Sequence, residues 1–129
     1  MLLQAYAALL ALAFHLNRRD RRMLLLTLAV GVSVFLPVPR ESAEVFYAAC
    51  VAAELVVALV AMLAAARATE LIMSLCVALE LTHIMGYILD GSGQLSSYRV
   101  LVPVLEAAQL VACVCMSPAI FARLQNRLP

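Results

Sequence analysis

Four ionisable side chains interrupt otherwise apolar stretches of this chain: Glu54, Glu80, His83 and Glu106. Gln109 follows three residues after Glu106. Carboxylates and imidazoles carry protons, attract cations and ligate metals. Inside an apolar helix such groups are costly, so they are the first place to look for function. Their spacing is helical. Tyr47, Cys50 and Glu54 share one face; so do Cys76, Glu80, His83 and Tyr87; so do Glu106, Gln109 and Cys113. Each set follows the three-and-four-residue steps of an α-helix.

Glu80-x-x-His83 sets a carboxylate and an imidazole on one helix face, as in carboxylate-bridged di-metal bundles. Those bundles use two such motifs and two further carboxylates. Here there is one motif, with Glu54 and Glu106 beside it. A dinuclear site therefore lacks a histidine. A single ion on Glu54, Glu80, His83 and Glu106 is chemically permissible. A His83–Glu hydrogen bond ranks ahead of it, and neither metal nor cofactor is assigned.

The elements that must position these residues follow from composition. Of 129 residues, 66% are hydrophobic and only 13% charged, and the mean hydropathy is +1.02. Globular domains are about half apolar and about a quarter charged. A soluble chain of this length cannot bury so much apolar surface. That excludes a soluble enzyme, a secreted disulfide scaffold, a disordered tail and a basic nucleic-acid binder. The expectation is one integral membrane domain over residues 1–129, all-α and polytopic.

Five apolar runs carry it: Leu2–Leu16, Met23–Leu36, Val45–Ala66, Leu71–Leu89 and Val100–Ala122. A spanning helix needs about 20 residues. The last three runs meet this, and the first two are short. A re-entrant hairpin would bury Arg18, Arg19, Arg21 and Arg22 at its tip. Surface exposure of that tip costs less, with local thinning of the bilayer. Five spans are therefore expected. All nine basic residues are arginine, which points to a GC-rich bacterial or phage gene. Seven of them fall in the breaks on one side, leaving Arg40 and Arg99 on the other. The positive-inside rule then places the N-terminus outside and the C-terminus inside. No basic leader precedes the first apolar run, so no cleavable signal is expected.

The breaks have their own chemistry. Pro37-Val38-Pro39 stops the second helix, and Ser42 is suited to cap the third. Asp90-Gly91-Ser92-Gly93 is the strongest turn signal. Pro103 suits the first turn of the last helix, and Pro118 should kink it. The Arg67–Glu70 turn has no Gly, Pro or Asn. It is still required, because one helix from Val45 to Leu89 would run about 65 Å. His15 reads as an interfacial residue. Cys50, Cys76, Cys113 and Cys115 read as small apolar fillers. Ala48 and Ala52, Ala49 and Ala53, and Ala61 and Ala65 allow close helix approach.

Depth brings the polar residues together. Glu54 and Glu80 lie about nine residues, roughly 14 Å, below the outer end of their helices, and Gln109 matches them. His83 and Glu106 lie about six residues, roughly 9 Å, down. Two functions fit such a cluster. It is either interhelical hydrogen-bond glue or a path for protons or cations. In size, helix content and basic C-terminal tail the chain resembles the phage holins, which oligomerise to permeabilise the inner membrane. That resemblance implies an oligomeric pore and no individual residue roles. The first expectation is thus a non-enzymatic pore or ion pathway of the inner membrane, a homo-oligomer or a partner of other membrane subunits. A non-transporting accessory subunit ranks second, and an intramembrane metal or redox enzyme last.

Overall fold

Three of the breaks between helices are set by a polar or strained residue: Asp20, Ser42 and Ala65. The computed structural model describes residues 2–36, 42–89 and 95–127. Six helices occupy them: α1 Leu2–Leu16, α2 Arg21–Phe35, α3 Ala43–Ala64, α4 Thr69–Leu89, α5 Leu95–Cys115 and α6 Pro118–Arg127. Among the described residues there is no strand. The all-helical expectation holds. α3 and α4 are long and apolar enough to cross a membrane, and α5 with α6 qualifies if that bent pair is taken as one span.

Asp20 caps α2, accepting from the Met23 N–H at 3.3 Å. The cap draws Arg21 and Arg22 into the first turn of α2, where the sequence pattern had left them in the break. Ser42 caps α3 as expected, its hydroxyl 3.2 Å from the Val45 nitrogen. The Pro37–Pro39 and Asp90–Gly93 signals lie outside the described residues.

The α3–α4 turn works without glycine. Ala65 takes the left-handed conformation at φ 48° and ψ 44°, and its N–H bonds the Ala61 carbonyl at 3.1 Å. The Thr69 hydroxyl donates to the same carbonyl at 2.9 Å. Two donors thus satisfy one of the carbonyls a helix end leaves free.

Two expectations at the prolines are corrected. α5 begins at Leu95, so Pro103 lies inside it rather than in its first turn. The Val100–Ala122 run does not continue as one kinked helix. It breaks after Cys115, and α6 leaves at 83° to α5. Pro118 cannot donate into a continuing ladder, but its fixed φ suits the first position of a new helix.

α1 to α5 close into a ring. Each helix packs on its neighbours in sequence, α5 packs back on α1, and α2 also meets α5 across the interior. The core holds Tyr6, Met23, Leu26, Val30, Val57, Ala61, Ile72, Leu79 and Leu110. The outward faces are apolar as well: Leu63 is 75%, Val100 67% and Ile88 65% exposed. A bundle apolar inside and out is compatible with a membrane protein.

The Ala65 turn carries a sign test. The left-handed region costs a non-glycine residue about 1–2 kcal/mol, against about 0.4–1 kcal/mol of extra unfolded-state entropy for glycine. Ala65→Gly is expected to raise the thermal midpoint of the detergent-solubilised protein slightly, and Ala65→Val to lower it.

Candidate functional site

The centre of the site is Glu54, one turn before Val57 on the inner face of α3 and only 4% exposed. A carboxyl group buried among apolar side chains needs partners. Three neighbouring helices supply them. From α2, the Ser33 hydroxyl donates to Oε1 at 3.1 Å. From α5, the Gln109 amide nitrogen donates to Oε2 at 3.1 Å. The same nitrogen lies 3.5 Å from the Cys76 sulfur of α4. Helical spacing put Glu54, Glu80 and Gln109 at one depth; the structure joins Glu54 to Gln109 directly and places Cys76, not Glu80, against the amide.

Both carboxyl oxygens of Glu54 accept. That is the bonding pattern of an acceptor-only carboxylate. Gln109 has spent its donor group on Glu54 and Cys76, while its own oxygen Oε1 is buried without a partner among the described residues. Beside the carboxylate there is therefore an unused acceptor. Glu80 and Glu106 are half-buried and near enough to Glu54 for their charges to interact with it.

His83 is buried two helical turns beyond Cys76, on the inner stripe Ile72, Cys76, Leu79, His83 and Gly86. Its Nδ1 lies 2.7 Å from the Leu79 carbonyl. A carbonyl only accepts, so Nδ1 carries the proton in that bond. His83 also lines a groove of about 420 Å³ between α3 and α4, with Glu44, Tyr47 and Tyr87. Tyr87 departs from the expected inner face and is 45% exposed. It meets Tyr47 edge to face at 5.7 Å. Among the described residues, no three His, Cys, Asp or Glu side chains converge to hold a metal ion.

A second polar column continues below the first along one face of α5. Gln109 and Cys113 lie one turn apart on α5, and Ser117 follows four residues later in the break before α6; all three are fully buried. The Cys113 thiol lies beside Thr27 of α2, whose hydroxyl donates to the Met23 carbonyl at 2.7 Å. The Cys113 carbonyl accepts from Asn17, at the end of α1, at 3.0 Å. Asn17 also donates to the Ala13 carbonyl at 2.8 Å. Asn17 Oδ1 and Ser117 Oγ are buried without partners among the described residues. At the other end of the ring, the Tyr6 hydroxyl donates to the Pro103 carbonyl at 2.7 Å. Sequence reasoning missed Ser33, Asn17, Thr27 and this tyrosine contact. Only Asn17 carried a visible signal, as an amide between an apolar run and an arginine cluster.

A double-mutant cycle measures the central bond. Glu54→Gln and Gln109→Leu are expected to couple by about 1 kcal/mol, within the range known for interhelical hydrogen bonds in membranes. Unfolding in mixed micelles reads it, and additive effects would place the two side chains apart. No protein family, curated protein or solved structure matches this chain, and what the site does is read from its own geometry.

Proposed function

We propose that the chain is a small polytopic protein of the bacterial inner membrane that binds and passes protons at Glu54. In this reading α1 to α5 all lie in the bilayer. The end bearing the Asn17–Asp20 turn faces the cytoplasm, as the arginine bias requires. α1 and α2 have 15 residues each, so the bilayer thins around them.

One observation carries the proposal: the acceptor-only bonding of Glu54 next to the unused oxygen of Gln109. A proton arriving on Glu54 turns one acceptor oxygen into a donor. The Gln109 amide accommodates it by a half-turn that presents Oε1 in place of Nε2. The α3–α5 link then survives in both protonation states with its donor and acceptor exchanged. Glu80, His83 and Glu106 extend the titratable set toward the outer end. A proton can hop along such a set where a hydrated ion cannot follow. The interior of one copy is filled by Leu26, Leu79 and Leu110, each fully buried. A wider cation or holin-like pore would therefore have to form between copies. Ala48 and Ala52 are exposed on α3 and allow a helix from a second copy to approach closely.

A second reading is favoured by the same burial. Glu54 ties α3 to α2 and α5, which is the work of structural glue in an accessory or assembly subunit. The two readings separate in proteoliposomes holding a pH-sensitive dye. The wild type should dissipate an imposed pH gradient, and Glu54→Gln should slow this by at least tenfold, on the order of a catalytic proton-transfer contribution. Glu80→Gln should slow it less. Equal rates in wild type and Glu54→Gln vesicles would remove Glu54 from any proton path. Co-purification with a larger complex in mild detergent would then favour the accessory role.

A further inference from the structure

α6 buries none of its residues, yet it is held at a fixed angle. Its turn is clamped by Arg67 from the α3–α4 connection. The Arg67 guanidinium donates to the Met116 carbonyl at 3.1 Å through Nε. Through its terminal nitrogen it pairs with Asp20 at 3.1 Å. Its central carbon Cζ lies over the Phe121 ring, 5.5 Å from the ring centre. One side chain thereby joins the α1–α2 turn, the α3–α4 turn and the start of α6. These three breaks lie at one end of the ring.

That end is strongly basic. It carries Arg18, Arg19, Arg21, Arg22, Arg67, Arg123 and Arg127 against Asp20 and Glu70, a net charge of +5. α6 itself is two-sided: Phe121 and Leu124 lie toward one side, Arg123 and Asn126 toward the opposite one, and Ile120 and Arg127 sit close together at the boundary between them. All of Arg18, Arg19, Arg21, Arg22, Arg123 and Arg127 are exposed.

We propose that α6 lies in the plane of the membrane as an interfacial anchor, and that the arginine collar around it binds anionic lipid headgroups. The 83° bend supplies the geometry. With α5 crossing the bilayer, a helix at nearly a right angle to it runs along the surface. A two-sided helix at that depth sinks its apolar side about 5–10 Å into the headgroup boundary. Its arginines then meet the phosphates, and Arg snorkels at small cost. The occupant is set by charge: a net +5 surface at the base of apolar helices complements an anionic leaflet. Ten residues are too few for α6 to span. The proposal requires the bundle to be embedded and is independent of what Glu54 does.

The chain has no tryptophan, so Leu124→Trp introduces a single reporter. The full chain is reconstituted into vesicles of phosphatidylcholine with phosphatidylglycerol. Lipids brominated near the headgroup should quench the reporter more strongly than lipids brominated deep in the tail. Brominated phosphatidylglycerol should out-quench brominated phosphatidylcholine, with a relative association of about fivefold or more. Adding Arg123→Gln and Arg127→Gln should bring this ratio toward one at unchanged depth. Strongest quenching by the deep bromines would mean that α6 inserts. No quenching at either depth would mean that it stands off the bilayer. Equal quenching by the two headgroups would end the anionic preference. Each of these three results overturns the proposal.

Discussion

The carboxyl group of Glu54 constrains the rest of the bundle. It sits where water is excluded, and its two oxygens need donors. Ser33 and Gln109 meet that need from α2 and α5, with Cys76 of α4 against the amide. Four helices must therefore hold their relative rotation and depth. A quarter-turn of α5 would withdraw Gln109 and strand the carboxylate. Apolar packing alone tolerates such rotations, because in lipid one apolar face is nearly equivalent to another. The polar contact selects one arrangement out of many that pack about equally well.

The same logic distributes the smaller polar contacts. Tyr6 fixes α1 on α5 at one end, and Asn17 fixes it at the other. Pro103 supplies no N–H to its helix, and its own carbonyl accepts the tyrosine. Arg67 closes the opposite set of turns. Leucine, valine and alanine fill the volume, while a few hydrogen bonds choose the register. Those bonds also keep a titratable group in a place where its proton state changes bonding rather than merely charge.

Much of this was legible in the sequence because lipid-embedded helices obey a strict accounting. Every polar residue in an apolar run must face something, so period and depth brought Glu54 and Gln109 together, though they paired them with Glu80 where the structure has Cys76, one turn away on the same face of α4. Tyr87 shows the limit of that rule: an aromatic with a polar tip is comfortable at a bundle edge. Ser33 was invisible for a different reason. A hydroxyl in a helix is usually satisfied by the carbonyl four residues earlier, as Thr27, Ser74 and Thr82 are here. Nothing local distinguishes Ser33 from them. The α3–α4 turn was legible only from length, since alanine rarely adopts the left-handed conformation seen at Ala65. The break at Cys115 was read as a kink because proline spacing alone does not reveal the Arg67 clamp that sets the new direction.

The ring closure between α1 and α5 bears on how the protein is made. The Tyr6 hydroxyl and its acceptor are 97 residues apart, and Asn17 and the Cys113 carbonyl 96. At about 5–20 residues per second of synthesis, α1 waits roughly 5–20 s for its main partner. In the proposed topology, α1 and α2 stand in the bilayer during that interval with Asn17 and Tyr6 still unmatched. In that topology the nascent chain passes through a stage in which its first hairpin has only the arginine tip and the Asp20 cap to hold it. Whatever escorts it then, lipid or insertion machinery, must tolerate two polar groups that the finished ring will claim only after its last long helix emerges.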